Sequence, residues 1–263
     1  MTPDKLNTWA DFSGIAVLLV LIFYGLSYMA KRKENQPAVL FGFALICHCL
    51  SDIYYLLYCL IKDADRMPHF SATEIGCIGY LTLFGIFLKW IYPRKEKHPL
   101  ISIYMGLYLI ANGVLWYLWS GDAAVNLMLA CGASYFAAQI GACLSEYLKE
   151  QTFRKVVWLC YSLSFLLFQC AMYLFRGSMV QTLLDPVCPA MVIMGDLRLL
   201  HICMKCSKEG DTKGFVIFSF SLYLWNILGM WMSTGYAYTL FDALLPVISV
   251  IQFYAVGKEV SGK

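Results

Sequence analysis

The sequence predicts an all-α fold, a polytopic membrane bundle of about nine transmembrane helices, and three observations lead to this prediction. Hydrophobic residues make up 60% of the 263-residue chain and charged residues only 14%. This balance is typical of membrane proteins rather than of soluble domains. The apolar residues form segments of about twenty residues, the length that a helix needs to cross the hydrocarbon layer. The basic residues are concentrated in alternate connections between those segments.

Each apolar segment is predicted to be a helix, because an open strand would leave its backbone groups unpaired in lipid. Cutting the chain at its polar connections gives spans near residues 12–30, 38–61, 73–92, 99–119, 123–147, 156–175, 179–204, 214–233 and 237–257. The connections are short, so residues 1–263 are predicted to form one transmembrane domain without a soluble domain. The first span lacks a preceding basic segment and a small-residue cleavage site, which favours a retained anchor over a signal peptide.

The basic residues predict the orientation of the bundle. Fourteen Lys and Arg residues follow the first, third, fifth, seventh and ninth spans, and only four lie on the other side. Because cytoplasmic connections carry the excess of Lys and Arg, the N-terminus is predicted to face out and the C-terminus in.

Asp52 is the centre of the functional prediction, because it lies deep within the second predicted span. An ionised carboxylate at the bilayer midplane costs at least ~2.5 kcal/mol. Asp52 is therefore either a neutral carboxyl group hydrogen-bonded to a neighbouring helix or the centre of a ligand or proton site. Tyr55 lies three residues further on, so it shares a helix face with Asp52 and can donate its hydroxyl group there.

The seventh predicted span is the second polar region. Pro186 and Pro189 each remove a helical hydrogen bond, which predicts a kink or an unwound turn. Asp196 and Arg198 follow on different faces, and Arg198 is a predicted partner of Asp52. The candidate intramembrane ligand-binding set is completed by three polar residues of other spans: Glu74, Asn226 and Asp242. Glu74 and Asp242 fit either an acidic outer vestibule or solvated helix ends. The small residues of the fifth span predict that this helix is the packed centre of the bundle.

The eleven cysteines lie almost entirely in apolar runs. They are predicted to be small buried hydrophobic residues rather than a disulfide framework. Soft-metal ligands occur together in two places, His48 with Cys49 and His201 with Cys203. Adjacent ligands spread around a helix, and a single Cys-x-x-Cys pair has no matching second pair. The sequence therefore predicts no metal site and no cofactor, with these four residues as the alternative metal ligands.

The run 51–87 combines an aspartate and several tyrosines late in one span, a Pro-His-Phe-Ser loop, and Glu74 at the start of the next span. It resembles the multi-helix N-terminal sensor modules of some bacterial diguanylate cyclases and histidine kinases. The resemblance implies a ligand-binding, sensor-like bundle in the bacterial cytoplasmic membrane. Since no catalytic or kinase domain follows in this sequence, it also implies a separate signalling partner on the cytoplasmic side.

Two other functions stay open at this point. A small-molecule transporter is indicated by the prolines and buried charges of the seventh span, although the related halves that many carriers show are absent. A membrane-embedded lipid hydrolase would use Asp52 with Asp196 or Asp242. The segment from Cys49 to Asp52 is similar to the Gly-Asp segment of membrane lysoplasmalogenases, but the histidine expected in the following span is missing.

The sequence contains none of the common catalytic motifs, which favours a protein that is not an enzyme and assigns no catalytic residues. The expected partners are the lipid bilayer, a small-molecule or lipid ligand, and the cytoplasmic signalling protein. No nucleic acid is expected.

Overall fold

The computed structural model describes residues 3–31, 36–61, 72–93, 106–107, 109–111, 113–114, 123–147, 177–233 and 235–261. Seven long helices lie within these ranges: α1 (Pro3–Lys31), α2 (Gln36–Ile61), α3 (Ala72–Ile91), α4 (Ala123–Tyr147), α5 (Met179–Glu209), α6 (Thr212–Met232) and α7 (Gly235–Ser261). No strand occurs in this part of the chain, and the predicted all-α fold is confirmed for it. The predicted span 156–175 lies outside the described residues. Of the predicted span 99–119, only seven residues between 106 and 114 are described, and they are helical.

Six of the seven helices are long and apolar enough to cross a membrane: α1, α2, α3, α4, α6 and α7. The exception is α5, which carries Asp185, Asp196 and Arg198 along its length. Six such helices identify a multi-pass helical membrane protein, as the composition predicts. The boundaries differ most at α1, which begins nine residues before the predicted span and therefore contains Asp11.

The helices pack largely in chain order, and α6 fills the centre. Helix α2 lies between α1 and α3, α3 packs on α4, and α7 closes against both α1 and α6. In the apolar segment of α6, 89% of residues are buried, compared with 72% in α4 and 17% in α1. The prediction that α4 is the packed centre is therefore wrong. Its small residues, such as Ala130 and Ala133, are nevertheless buried, and the helix packs on α3.

Aromatic rings hold α6 in place because they bury the largest apolar area per side chain. Phe84 of α3 meets the rings of Phe220 and Tyr223 edge-on, each at 5.2 Å between centroids. Phe87 stacks on Phe220 at 5.4 Å, and Phe41 of α2 completes the group at 6.0 Å from Phe220. These contacts join α2 and α3 to the central helix.

Helices α2 and α3 approach closely at Gly76. A Cβ atom at this position would lie 2.6 Å from Ser51 Cβ and 2.9 Å from the Cys47 carbonyl oxygen. The absence of a side chain thus lets Ser51 Oγ donate a 2.9 Å hydrogen bond to the Thr73 carbonyl oxygen. This contact sets the depth of α3 against the part of α2 that carries Asp52.

Polar contacts hold the start of α6 in register with its neighbours. Asp211 caps the helix, accepting a 2.8 Å hydrogen bond from Gly214 N, and its other carboxylate oxygen accepts from the Tyr147 hydroxyl group. Thr212 donates its hydroxyl to Glu259 of α7. Burial raises the pKa of the nearby Cys206 thiol, and the negative charge of Asp211 adds to this effect.

Helix α5 continues through both of its internal prolines. Of the two predicted alternatives at Pro186 and Pro189, the unwound turn is therefore wrong, and the kink stays a prediction. Each proline removes one backbone hydrogen bond, but the helix extends for 31 residues around them, so most of its hydrogen-bond ladder is kept. Helix α7 likewise continues through Pro246.

Candidate functional site

Three carboxyl groups from three helices converge near one end of the bundle. Asp11 of α1 and Asp242 of α7 lie close enough for their charges to act on each other, and the charge of Asp52 of α2 acts on both. Tyr55 and Tyr238 adjoin them, since the charges of Asp11 and Asp242 act on both phenols. These five residues, called the acidic cluster below, are each partly exposed.

The packing of α1 against α7 explains why Asp11 and Asp242 meet. The two helices run parallel: Thr239 donates a hydrogen bond to Asn7, and a Cβ atom at Gly14 would lie 3.5 Å from Pro246 Cγ. Asp11 is one turn beyond Asn7, and Asp242 is about one turn beyond Thr239. Asp11 and Asp242 therefore face each other between the Asn7–Thr239 and Gly14–Pro246 contacts of the two helices.

The third helix runs in the opposite direction and contributes Asp52 at the same depth. Asp11 and Asp242 are eight and seven residues from the first residues of their helices, and Asp52 is nine residues before the end of α2. At 1.5 Å per residue, all three lie about 10–14 Å from the same end of the bundle. The three carboxyl groups of the acidic cluster thus lie at about the same depth along the helix axes.

The electrostatics of the acidic cluster favour a positive charge. Three neighbouring negative charges repel each other strongly where water is scarce. One oxygen of Asp242, Oδ2, is buried without a hydrogen-bond partner among the described residues. The group can lower its free energy by holding protons or by binding a cation.

Asp52 also contacts a buried histidine. Its Oδ2 lies 3.4 Å from His48 Nε2, one turn earlier on the same helix. The His48 side chain is only 4% exposed, compared with 33% for Asp52, and its Nδ1 is 3.0 Å from the hydroxyl group of Tyr223 on α6. Asp52 therefore joins the partly exposed acidic cluster to a buried polar group in the core.

The predicted pairing of Arg198 with Asp52 does not form in the described part of the chain. Both Asp196 and Arg198 lie on α5, which packs on α6, and Arg198 is exposed. Asp196 is buried, and neither carboxylate oxygen has a hydrogen-bond partner among the described residues. The sequence could not reveal that α6 stands between α5 and the helices of the acidic cluster.

Asn226 and Glu74 also lie apart from the acidic cluster. Asn226 is fully buried in α6, and its Nδ2 donates a 2.8 Å hydrogen bond to the carbonyl oxygen of Phe241 on α7. This bond joins two helices directly beside Asp242. Glu74 is partly exposed in the first turn of α3.

The alternative metal ligands occupy two different helices. His48 and Cys49 are buried in α2, whereas His201 is exposed and Cys203 buried in α5. Among the described residues, no group of three or more His, Cys, Asp or Glu side chains is arranged to hold a metal ion. The eight cysteines whose side chains the structure describes are free thiols, four of them buried.

Helices α1, α2 and α7 also enclose an apolar cavity toward the opposite end of the bundle. Its lining includes Leu21 and Gly25 of α1, Phe41 of α2, and Phe253 and Val256 of α7. Every lining side chain is apolar. The cavity therefore does not extend the polar site.

Sequence reasoning missed Asp11 and Tyr238, and it considered His48 only as an alternative metal ligand. A usable signal existed in the spacing of four residues, which places His48 beside Asp52 and Tyr238 beside Asp242 on their helices. Asp11 carried no such signal, because the predicted first span began after it. Only the packing of α1 on α7 brings it to the site.

Fold and site together define a multi-pass helical membrane protein with an acidic cluster between three of its helices. No protein-family model, curated protein or solved structure matches the chain. A function must therefore be derived from the chemistry of the cluster.

Proposed function

We propose that this protein is a sensor-like, ligand-binding membrane protein without catalytic activity of its own, and that its acidic cluster binds a small molecule carrying a positively charged group. The observation that carries this proposal is the convergence of Asp11, Asp52 and Asp242 from three different helices. Carboxyl groups inside a membrane are costly. A site that gathers three of them gains most from a ligand that neutralises their charge.

The residues of the cluster suit an amine. Carboxylate oxygens accept charge-assisted hydrogen bonds from ammonium N–H groups. The rings of Tyr55 and Tyr238 offer negative faces to a cation, a contact worth roughly 0.5–2 kcal/mol. The partial exposure of all five residues gives such a ligand a route to them.

Binding at this site would change the relative stability of helix arrangements. A ligand that contacts α1, α2 and α7 together favours the arrangement in which these helices are closest, and it shifts the population toward that arrangement. A separate protein on the cytoplasmic side would read the shift.

The finer topology belongs to the same proposal. The chain crosses the membrane nine times, with its N-terminus outside and its C-terminus inside the bacterial cytoplasmic membrane. The distribution of Lys and Arg supports this orientation. The parallel packing of α1 and α7 also supports it, because it puts the start of α1 and the end of α7 on opposite sides. Reporter fusions at Lys33 and Lys263 test it: both are expected in the cytoplasm, and an external signal at either one contradicts the topology.

Ligand binding is tested by thermal unfolding of the purified protein in lipid nanodiscs with a panel of primary and quaternary amines. A ligand at a hundred times its dissociation constant stabilises the folded state by about 2.7 kcal/mol. The gain is expected in wild type and in Asp196→Asn, a buried aspartate outside the cluster. It is expected to be lost in Asp52→Asn and Asp242→Asn. Equal stabilisation of all four proteins, or of none, would overturn the proposal.

A lipid hydrolase of the lysoplasmalogenase type is the second candidate, and the Asp11–Asp242 carboxyl pair favours it. Two carboxyl groups that share a proton can act as a general acid and a general base. Release of the aldehyde from a lysoplasmalogen by wild type, and its loss in both Asp11→Asn and Asp242→Asn, would support this function. The transporter has less support, because α5 is not unwound at its prolines.

A further inference from the structure

A chain of buried polar side chains leads from the acidic cluster into the core. Asp52 Oδ2 lies 3.4 Å from His48 Nε2, and His48 Nδ1 lies 3.0 Å from the Tyr223 hydroxyl group. The ring of Tyr80 on α3 packs beside both side chains, with its centroid 4.7 Å from the His48 ring and 6.1 Å from the Tyr223 ring. Cys77 lies about one turn earlier on α3. Side chains of α2, α3 and α6 thus meet beyond Asp52.

The middle of this group is buried, whereas Asp52 at one end and Cys77 at the other are partly exposed. Asp52 is one-third exposed at its side chain, whereas His48, Tyr80 and Tyr223 are at most 3% exposed. At the far end, Cys77 Sγ lies 3.6 Å from Ser51 Oγ, and Ser51 donates to the backbone carbonyl oxygen of Thr73. The His48 ring is therefore the first buried acceptor that a proton entering at Asp52 meets.

We propose that His48 is an internal proton acceptor for Asp52, so that a cation in the acidic cluster drives one proton from the carboxyl group to the imidazole. The O–H bond of Asp52 breaks and an N–H bond forms at His48 Nε2. The products are a carboxylate, which faces the cation, and an imidazolium, whose Nδ1–H donates to Tyr223. No charge is created overall, and no other reactant is needed.

The direction of the transfer follows from the charges around the pair. The groups that face it are Asp11 from α1, Cys49 from α2, Tyr80 and Cys77 from α3, Tyr223 from α6, and Asp242 and Tyr238 from α7. None of these is a base that is charged near neutral pH. With the cluster empty, an ion pair within this acidic surrounding is unfavourable and the pair is neutral. A bound cation reverses the balance by stabilising the Asp52 carboxylate.

The consequence is an internal readout for the proposed sensor. The new positive charge appears beside the hydroxyl group of Tyr223, which lies on the central helix α6, while the ligand contacts α1, α2 and α7. Ligand binding thus changes the charge next to α6, a helix that the ligand does not contact. The trigger rests on the proposed function, but the proton transfer itself can be tested without a natural ligand.

The test uses ¹⁵N NMR of histidine-labelled protein in lipid nanodiscs. The chain has four histidines, so His48→Gln assigns the relevant signal and His201→Gln serves as a control. In wild type, His48 is expected as the neutral tautomer with its proton on Nδ1. A tethered cation, introduced as Asp11→Lys, is expected to convert His48 to imidazolium, whereas Asp11→Asn does not. The double variant Asp11→Lys with Asp52→Asn is expected to keep the ring neutral.

A His48 ring that stays neutral in Asp11→Lys, with its proton on either nitrogen, would overturn the proposal. An imidazolium that also forms in the double variant would overturn it as well, because the proton would not come from Asp52. Should Asp11→Lys fail to fold, wild type with methylammonium chloride, against sodium chloride, gives the same readout by infrared spectroscopy. Loss of a protonated-carboxyl band together with gain of an imidazolium band supports the transfer. A change in one band without a change in the other contradicts it. Failure of the amine panel in the stabilisation assay would leave the tethered-cation result intact, so the two proposals fail separately.

Discussion

At the scale of single residues, Asp52 differs from Asp196 in what surrounds it. Both are aspartates within long helices, but Asp52 has His48 at 3.4 Å and two further carboxyl groups nearby. Asp196 is 7% exposed, and its two carboxylate oxygens have no partner in the described residues. A buried polar group without partners lowers stability. An aspartate is therefore part of the candidate site in α2, whereas in α5 it lowers the stability of the fold.

This contrast predicts that Asp196→Asn leaves stability unchanged or raises it by roughly 1–3 kcal/mol, because a neutral amide costs less to bury than an ionised carboxylate. Asn226→Ala is the matched control: it breaks the hydrogen bond to the Phe241 carbonyl oxygen and is expected to lower stability by roughly 1–3 kcal/mol. Denaturant unfolding in lipid nanodiscs measures both. A loss of stability in Asp196→Asn as large as that in Asn226→Ala would show that Asp196 has an essential partner.

At Gly76, the contact between α2 and α3 leaves no space for a side chain. Gly76→Ala places a Cβ atom 2.6 Å from Ser51 Cβ, so the helices must separate, and the expected loss is about 1–3 kcal/mol. Gly257→Ala is the control, because nothing lies within 4 Å of the added atom. Its effect is expected to stay within about 1 kcal/mol. Equal unfolding midpoints for the two variants would contradict the close approach of α2 and α3 at Gly76.

At the scale of helices, the start of α6 depends on one side chain that serves two purposes. Asp211 caps α6 through Gly214 N and accepts a hydrogen bond from Tyr147 of α4. Since α6 contacts most of the other helices, a change at this point affects the whole bundle.

We expect Asp211→Ala to lower stability by about 0.5–2 kcal/mol from the lost cap, with a further loss from the unpaired Tyr147 hydroxyl. Asp211→Asn keeps the cap and is expected to lose less. Tyr147→Phe removes only the second contact. Thermal unfolding of the three variants compares these losses, and an Asn variant as unstable as the Ala variant would show that capping is not the cause.

Helix prediction succeeded where apolar length decides the structure and failed where packing does. The span 123–147 coincides with α4, because polar connections bound it on both sides. The start of α1 was missed, since Asp11 and the residues before it are polar in sequence but packed on α7 in the fold. The unwound turn of α5 was wrong, because a long helix can lose two hydrogen bonds and continue.

At the scale of the whole molecule, the candidate site was predictable only in part. A buried aspartate is visible in a sequence through its cost in lipid, so Asp52 and Asp242 could be named. Their proximity depends on which helices are neighbours and in which direction they run. That information lies in side-chain packing, such as the contact of Gly14 with Pro246, and hydropathy does not encode it. The predicted pairing of Arg198 with Asp52 was wrong for the same reason.

The parallel arrangement of α1 and α7 is the feature of the whole molecule on which the acidic cluster depends. It brings Asp11 beside Asp242 at the level of Asp52. Two neighbouring carboxyl groups are expected to show an interaction energy in a double-mutant cycle, whereas distant groups show additive effects.

The most direct test is therefore a double-mutant cycle on unfolding free energy with Asp11→Asn and Asp242→Asn, measured in lipid nanodiscs. The predicted result is a non-additive interaction of roughly 0.5–3 kcal/mol for this pair, while Asp11→Asn combined with Asp196→Asn is additive within about 0.5 kcal/mol. Additivity in the first cycle, with wild-type stability in both single variants, would contradict the acidic cluster.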